Sequence, residues 1–263
     1  MKTPTLLTLA TALGLAATVL AASRSPEQGP KEKPSSMIAM KAPARAEAPR
    51  ASVALSTPIR YAALGASDTV GSGSRAPARE NWTARIRAAL PEDTVYERFA
   101  RGGITLAQAM NVEVPKAIAF RPTLVTMWLS VNDALGHVPL ATYQKSLQAT
   151  LERLTRETEA QVVLLNVPDL AALAPSHAST QARTQLRETT SAWNAAIAAA
   201  ARPYGQRVLV VDLVPASKQL PQHAEWISGD GFHPSSEGYQ KLADLALEEM
   251  HRAGLLPPGR ARP

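Results

Sequence analysis

The sequence predicts an α/β protein: a three-layer sandwich in which a mostly parallel, five-stranded sheet lies between two layers of helices. Two observations support this fold class. From residue 58 onward, apolar runs of strand length alternate with segments of helical periodicity, which is typical of a parallel sheet. Three of the runs are almost continuously apolar, which indicates strands covered on both faces.

Each element is predicted from its apolar pattern. The five predicted strands cover residues 59–64, 94–99, 124–129, 161–167 and 207–213. Apolar residues spaced three and four apart indicate the helices between them. A short helix is predicted over residues 82–90, and three longer ones are marked by Tyr143, Leu147, Leu151 and Leu154, by Leu186, Thr190, Trp193 and Ile197, and by Tyr239, Leu242, Ala246 and Met250. These elements form one predicted domain, residues 58–252.

The two ends of the chain differ from this domain. Residues 1–22 carry Lys2 followed by an uncharged apolar run and small residues, which predicts a Sec-type signal peptide and a secreted, periplasmic or cell-envelope protein. An uncleaved N-terminal membrane anchor is the alternative. Residues 23–57 are rich in Pro, Ala and Ser and predict a disordered linker, and residues 253–263 predict a flexible tail.

Charge and cysteine content exclude several function classes. The formal charge is +6, but residues 1–57 contribute +4 and residues 252–263 contribute +3, which leaves −1 for the middle of the chain. A basic face that reads phosphates should lie on the folded domain, so we expect no nucleic-acid partner. The chain has no cysteine, which excludes disulfides, thiol catalysis and a lipid-modified cysteine.

Candidate catalytic residues lie in loops that follow the predicted strands, where ligands bind in parallel sheets. Ser67 stands in "GASDTVGSG", directly after the first strand. The stretch is also compatible with a plain turn. It lacks the lysine and the glycine spacing of phosphate-binding loops, and it does not fit the nucleophile-elbow pattern. A nucleophilic serine needs a base that takes its proton, and histidine is the first candidate.

One of the five histidines has a suitable neighbour. His233 follows Asp230 by three residues in "GDGFHPSSEGY", just before a helix that Ser235 or Ser236 can cap. A carboxylate at this spacing can bend back to accept a hydrogen bond from Nδ1–H and so orient the ring. A helix-capping aspartate, or a metal site completed by Asp212, fits the same pattern.

Acyl transfer also needs donors for the oxygen that becomes negative. Gly103 in "ARGGIT" offers a backbone N–H that no side chain obstructs, and Asn132 in "WLSVNDAL" offers a side-chain amide after a buried strand. A plain turn at Gly103 and an Asx turn or helix cap at Asn132 are the structural alternatives.

Taken together and in this order, "GASDT", "RGGIT", "SVND" and "DGFH" resemble the four sequence blocks of the SGNH hydrolases, also called the GDSL esterase/lipase family. The resemblance covers essentially all of the predicted domain. It implies a flavodoxin-like sandwich, no cofactor and no metal, and cleavage of carboxylic esters with short acyl groups through an acyl-enzyme. It further implies Ser67 as nucleophile, His233 as base and Asp230 as its orienting carboxylate, with Ser67, Gly103 and Asn132 forming the oxyanion hole.

Two residues depart from the family pattern. Ala66 stands where the family has an aspartate that is not part of the triad, and Ser130 replaces a glycine, which we expect to crowd bulky acyl groups near Asn132. The expected partner is a small-molecule, lipid or glycan ester, without stable membrane insertion once the signal is cleaved, and the oligomeric state stays open. A cell-envelope polysaccharide O-acetylesterase or acyltransferase is one alternative function, and a non-catalytic binding module is another.

Overall fold

The computed structural model describes residues 54–55 and 58–256. The predicted signal or anchor, nearly all of the predicted linker and the last residues of the tail lie outside the described residues. The described part contains a five-stranded sheet made of β1 (Arg60–Gly65), β2 (Val95–Ala100), β3 (Leu124–Trp128), β4 (Gln161–Leu165) and β5 (Val208–Val211). Each strand lies within about two residues of its predicted position.

The strand order is β2-β1-β3-β4-β5, and every neighbouring pair is parallel. This is the flavodoxin-like order, in which the chain changes direction across the sheet between β1 and β3. The carboxyl ends of the central strands are aligned, because Gly65 pairs with Ala100 of β2 and with Trp128 of β3. The loops that follow β1, β2 and β3 therefore leave the sheet at one edge.

Helices connect the strands. Their bounds in chain order are α1 (Ser67–Val70), α2 (Pro77–Glu80), α3 (Trp82–Ala89), α4 (Leu106–Ala119), α5 (Val131–Leu135), α6 (Leu140–Glu157), α7 (Thr180–Ala201), α8 (Val214–Ser217) and α9 (Ser236–Arg252). Short 3₁₀ turns occupy Arg202–Arg207, Leu220–Gln222 and Ala224–Trp226. The four predicted helices correspond to α3, α6, α7 and α9.

Each face of the sheet carries its own apolar core, which confirms the three-layer sandwich. Helices α4, α6 and α7 pack on one face, against residues such as Leu64 and Met127, and α3 and α9 pack on the other, against residues such as Tyr61 and Val163. Alternate residues of a strand contact opposite cores because strand side chains have a period of two. Burial on both sides explains the continuous apolar composition of β3 and β4.

Helix α4 was not among the predicted helices. Pro115 lies inside it and interrupts the helical pattern, because proline removes a backbone donor and clashes with the preceding turn. The helix persists because its buried residues, including Leu106 and Val114, pack against the sheet. The sequence did contain a signal for the start of this helix. Thr105 and Gln108 form a capping box, in which each side chain accepts a hydrogen bond from the other residue's backbone N–H.

Residues beyond both predicted domain boundaries pack on the α3/α9 core. Leu255 and Leu256, which the sequence analysis places in the tail, are buried, and the Leu55 N–H donates a hydrogen bond to the Leu255 carbonyl at 3.1 Å. The packed part of the chain therefore extends beyond residues 58–252. None of the helices in the described residues combines the length and apolar character needed to cross a bilayer.

Candidate active site

Ser67 lies at the central edge of the sheet, two residues after the end of β1. It is the first residue of α1 and only 9% of its surface is exposed. The turn into α1 is so tight that a Cβ at Gly65 would overlap the side chain of Thr69. Glycine is therefore required at position 65, and the short helix presents Ser67 where the loops from β1, β2 and β3 meet.

Asp230 and His233 form a hydrogen-bonded pair at the tip of the turn before α9. The His233 ring Nδ1–H donates to Asp230 Oδ2 at 2.7 Å. The other carboxylate oxygen accepts hydrogen bonds from the backbone N–H groups of Phe232 and His233, at 2.8 and 2.9 Å, and from Ser228 Oγ at 2.8 Å. These contacts fix the carboxylate and leave Nε2 as the ring nitrogen able to take a proton.

The environment of Asp230 keeps its carboxylate ionised. Burial by itself would raise the pKa of Asp230, but the hydrogen bonds from the His233 ring, the two backbone N–H groups and Ser228 together lower it to about 2. An ionised carboxylate at this position holds Nδ1 protonated and stabilises the positive charge that the imidazole acquires when Nε2 accepts a proton.

The turn that carries His233 packs against the loop that follows Ser67. A Cβ at Gly73 would lie 2.9 Å from His233 Cβ and 2.7 Å from the Pro234 carbonyl oxygen. The buried Tyr239 hydroxyl of α9 donates to the Ser72 carbonyl at 2.7 Å. The described residues show no direct hydrogen bond between the Ser67 and His233 side chains, and the contacts at Gly73 and Ser72 join the loop after Ser67 to the turn and helix that carry His233.

The two predicted oxyanion residues lie in neighbouring segments that a hydrogen bond joins. Gly103 has a positive φ of 74°, and a Cβ there would meet nothing within 4 Å, so glycine is favoured there by the backbone conformation and not by lack of space. One N–H of the Asn132 amide donates to the Ile104 carbonyl at 2.9 Å, and the second has no partner among the residues that the structure describes. Asn132 lies within α5 and does not cap it.

A second hydrogen bond joins the same two segments. Asp133 is buried, and its Oδ2 accepts from the Leu106 N–H at 2.9 Å, at the first turn of α4. Burial raises the pKa of Asp133 to about 6, although the hydrogen bond from Leu106 acts in the opposite direction. Asp133 was not among the residues predicted from the sequence, although its position beside Asn132 was a signal.

Asp68, next to the candidate nucleophile, was also missed. Asp68 is 9% exposed, and the hydrogen bond that favours its carboxylate comes from its own backbone N–H. Burial raises the pKa of Asp68, while the charge that His233 can carry acts in the opposite direction. An acidic residue within a run of small residues was the signal that could have pointed to it.

An apolar groove is lined by Asp68 and by Phe232 and Pro234, the residues on either side of His233. It encloses about 640 Å³ of space, part of it open to solvent. Its walls include Trp128, Leu213, Leu220, Trp226, Phe232 and Leu242. Because Asp68 adjoins Ser67 and Phe232 adjoins His233, this groove can receive an apolar group attached to a reacting centre at these residues.

Asp212, which would complete the alternative metal site, does not form a metal-ligand group with Asp230 and His233. Its carboxylate accepts hydrogen bonds from Asn166 Nδ2 at 2.9 Å and from the Val214 N–H at 3.0 Å, at the end of β5. Among the residues that the structure describes, no group of three His, Asp or Glu side chains is arranged to hold a metal ion.

The fold is that of an α/β hydrolase, and the candidate site residues lie at the carboxyl edge of the sheet. Residues 63–241 match the model of the GDSL-like Lipase/Acylhydrolase family, so the chain belongs to that family. Its enzymatic class is that of the carboxylic ester hydrolases. Comparison with curated protein sequences returns no significant match.

Solved structures show the same fold at low sequence identity. An α/β hydrolase, LAE5, from the metagenome of Lake Arreo is 18% identical with a TM-score of 0.60, over 74% of this chain and 95% of that one. A catalytic mutant of Axe2, an acetylxylan esterase from Geobacillus stearothermophilus, is 17% identical with a TM-score of 0.60, over 78% and 98%. The esterase EstA from Pseudoalteromonas sp. is 15% identical with a TM-score of 0.57, over 74% and 97%.

Proposed function

We propose that the protein is an exported serine esterase that cleaves carboxylic esters through an acyl-enzyme on Ser67. The observation that carries this proposal is the Asp230–His233 pair, joined at 2.7 Å and packed against the loop that follows Ser67. A serine at the end of a central strand, beside an imidazole already oriented by a carboxylate, is the arrangement that nucleophilic acyl transfer needs.

In the first half of the reaction, Ser67 Oγ attacks the ester carbonyl carbon and its proton passes to His233 Nε2. The carbonyl oxygen becomes negative and accepts hydrogen bonds from the N–H groups of Ser67 and Gly103 and from the second N–H of Asn132. The carbon–oxygen bond to the alcohol then breaks, and His233 returns the proton to the departing alcohol oxygen. Asp230 stays ionised throughout and stabilises the imidazolium.

In the second half, water attacks the acyl-enzyme and gives a proton to His233 Nε2. Collapse of the second tetrahedral intermediate breaks the bond to Ser67 Oγ, which takes the proton back, and the carboxylic acid leaves. No cofactor or metal is needed for any of these steps. A lipid or small-molecule ester fits the apolar groove lined by Asp68, which supports an acyl group of short to moderate length as the substrate.

A glycan O-acetylester is the second candidate substrate. A polar depression of about 740 Å³ lies at the ends of β4 and β5, lined by Asn166, Asp169, Arg187, Ser191, Asn194 and Asp212. Such side chains suit the hydroxyl groups of a sugar. Two structural neighbours carry related descriptions, the acetylxylan esterase Axe2 and a two-domain esterase active on acetylated mannans. An acyltransferase would use the same site with an alcohol in place of water.

The test is ester turnover by Ser67→Ala, with Ser72→Ala as the matched control from the same loop. Ser67→Ala should lose nearly all hydrolysis of p-nitrophenyl esters, because only binding and the oxyanion donors remain, which give about 10³- to 10⁴-fold over water. Ser72→Ala should hydrolyse normally. A fluorophosphonate probe should label Ser67 in the wild type, since only an activated serine reacts. Normal turnover by Ser67→Ala refutes the assignment, and absence of labelling favours the non-catalytic binding module.

Two further measurements separate the finer parts of the proposal. A series of esters from acetyl to palmitoyl, compared with acetate release from acetylated xylan, distinguishes the groove from the polar depression as the substrate site. Faster release from xylan than from any p-nitrophenyl ester supports the glycan. Mass spectrometry of the mature N-terminus tests cleavage of the predicted signal at residues 1–22, and an intact N-terminus would support the membrane-anchor alternative.

A further inference from the structure

The two serines at the start of α9 have different partners. Ser235 caps the helix, which is one of the two alternatives predicted from the sequence. Ser236, which is 1% exposed, bonds to a distant segment instead. Its hydroxyl accepts a hydrogen bond from the Arg75 N–H at 3.0 Å and donates one to the Glu80 carboxylate. These partners lie 161 and 156 positions away along the chain, so one buried hydroxyl joins two separate parts of the fold.

The two parts that it joins carry the two proposed reacting side chains. His233 lies three residues before Ser236, on the turn that leads into α9. Arg75 and Glu80 belong to the segment that follows Ser67, and Glu80 is the last residue of α2. The Ser236 hydroxyl is therefore a direct link between the His233 side and the Ser67 side of the site.

Arg98 of β2 extends this link to the helix of the candidate nucleophile. Its Nη1 group contacts the carbonyl oxygens of Thr69 and Val70, in α1, at 3.3 and 3.2 Å. The same group contacts the Pro77 carbonyl oxygen, in α2, at 3.4 Å. The helix that begins at the candidate nucleophile and the helix that ends at Glu80 therefore share one hydrogen-bonding partner. A shift of Glu80 is transmitted to the nucleophile through this short path.

The charge of Glu80 orients the Ser236 hydroxyl. The hydrogen bond from Ser236 lowers the pKa of the Glu80 carboxyl, so this group is ionised near neutral pH and only accepts hydrogen bonds. The hydroxyl proton therefore points to Glu80, and the oxygen lone pairs of Ser236 remain for the Arg75 N–H. A hydrogen bond to an ionised carboxylate is stronger than one between neutral groups, so this contact holds the two segments firmly.

An ion pair also joins the two segments, but it is exposed to solvent. Arg75 Nη1 lies 2.6 Å from Glu237 Oε1, and 67% and 45% of the two side chains are exposed. Exposed ion pairs contribute little to stability, because salt and water screen them and long side chains lose conformational freedom in forming them. The buried Ser236 hydroxyl is therefore the contact better able to fix the separation of the two segments.

We propose that Ser236 and Glu80 are positioning residues, whose hydrogen bond holds His233 at the separation from Ser67 that proton transfer requires. This inference rests on the proposed function. Neither Ser236 nor Glu80 lines the apolar groove, and neither takes part in the making or breaking of bonds. A displacement of about 1 Å at a reacting group can lower the rate about 10²-fold. Loss of this hydrogen bond should therefore lower kcat and leave KM nearly unchanged.

The experiment compares Ser236→Ala with Thr158→Val. Thr158 is a matched control, because it is 8% exposed and its hydroxyl donates to the Leu154 carbonyl at 2.6 Å and accepts from the Ala160 N–H at 3.2 Å. It precedes β4, at the edge of the sheet opposite the site. For Ser236→Ala we expect kcat on p-nitrophenyl acetate to fall about 10-fold, and the rate of fluorophosphonate labelling at Ser67 to fall in parallel. Thr158→Val should lower the melting temperature by a similar amount and leave kcat unchanged.

Glu80→Ala tests the other partner of the hydrogen bond. The Glu80 side chain is 30% exposed, so this variant serves as the second test if Ser236→Ala does not fold. We expect Glu80→Ala to lose about as much kcat as Ser236→Ala. The double variant should lose no more than either, because each substitution removes the same contact. Glu237→Gln removes only the exposed ion pair and should leave kcat unchanged.

Each other outcome overturns the inference. An unchanged kcat and labelling rate in Ser236→Ala or Glu80→Ala refutes the positioning role and leaves the proposed function standing. An equal fall of kcat in Thr158→Val shows a general effect of lost stability, and an equal fall in Glu237→Gln assigns the role to the exposed ion pair. Additive losses in the double variant show that the two residues act independently. A wild-type protein that hydrolyses no ester and labels at no serine refutes the proposed function itself.

Discussion

At the residue scale, the three acidic side chains of the site have different environments. Asp230 accepts hydrogen bonds from four donors, which hold its pKa at about 2 despite its burial. Asp133 is buried and accepts a hydrogen bond from the Leu106 N–H, and burial raises its pKa to about 6. Asp68 has a hydrogen bond from its own backbone N–H, and burial raises its pKa. Both the number of donors and the degree of burial separate these carboxylates, because Asp230 is the most exposed of the three.

The raised pKa of Asp133 predicts a pH dependence of stability. The unfolded carboxyl titrates near 3.9, so the folded state binds the proton more tightly, and this stabilising contribution is present below that pH and lost as the pH rises through about 6. In Asp133→Asn the group no longer titrates. Relative to wild type, the variant should therefore gain about 1 kcal/mol of unfolding free energy between pH 5 and pH 8.

Urea unfolding at both pH values measures this gain. The exposed Asp244→Asn variant serves as a control for a general effect of charge, and it should show no comparable gain. A difference between Asp133→Asn and wild type that is the same at pH 5 and pH 8 would show that the Asp133 carboxylate does not change its protonation on unfolding.

At the element scale, the site depends on how the turn before α9 is held. The Ser228 N–H donates to the His233 carbonyl at 2.8 Å, and the Ser235 N–H donates to the Trp226 carbonyl at 2.9 Å, which closes the turn with Asp230 at its tip. Ser235 then begins α9 as its cap. This turn approaches the Ser67 loop closely at Gly73, where φ is 88°.

We expect Gly73→Ala to impair catalysis strongly. The added Cβ would meet backbone and Cβ atoms of Pro234 and His233 below 3 Å, so the two loops must move apart, and a displacement of this kind should lower kcat/KM about 10- to 100-fold. Gly205→Ala is the matched control, because Gly205 also has a positive φ, 53°, but no atom lies within 4 Å of a Cβ there.

Both variants should lose some stability through backbone strain, and only Gly73→Ala should lose activity. Ester turnover and thermal unfolding of the two proteins measure these effects separately. If Gly205→Ala loses as much activity as Gly73→Ala, strain alone explains the result and the contact between the two loops is not what positions His233.

At the scale of the whole molecule, the apolar cores on the two faces of the sheet include residues beyond the predicted domain. Leu55, Leu255 and Leu256 complete the core on the face covered by α3 and α9. Leu255 and Leu256 are 3% and 8% exposed, so they contribute fully buried side chains. The segments that flank the predicted boundaries are therefore part of the apolar core on this face.

Truncation at the C-terminus tests this extension. A chain that ends at residue 256 should unfold like the full chain, whereas one that ends at residue 252 loses two buried leucines and about 3 kcal/mol of unfolding free energy. Denaturant unfolding of both proteins measures the difference. Equal stability of the two truncated chains would show that the core on this face ends at α9.

The sequence by itself determined the order of strands and helices and the candidate residues of the site. Apolar periodicity records which face of each element is buried, and a short motif such as "DGFH" carries its own geometry, since the Asp230–His233 hydrogen bond spans only three residues. Helix α4 was not predicted, because Pro115 locally disfavours a helix. Packing against the sheet stabilises the helix all the same.

Only the tertiary structure decided which loops meet and which polar groups pair. The contact of Gly73 with His233 joins residues 160 positions apart, and the hydrogen bond from Asn132 to Ile104 joins α5 to the loop that follows β2. Whether Ser236 caps α9 or joins it to a distant segment, and whether Asp133 is protonated near neutral pH, depends on burial and on partners from distant segments. These properties arise from three-dimensional packing, which no local pattern along the chain records.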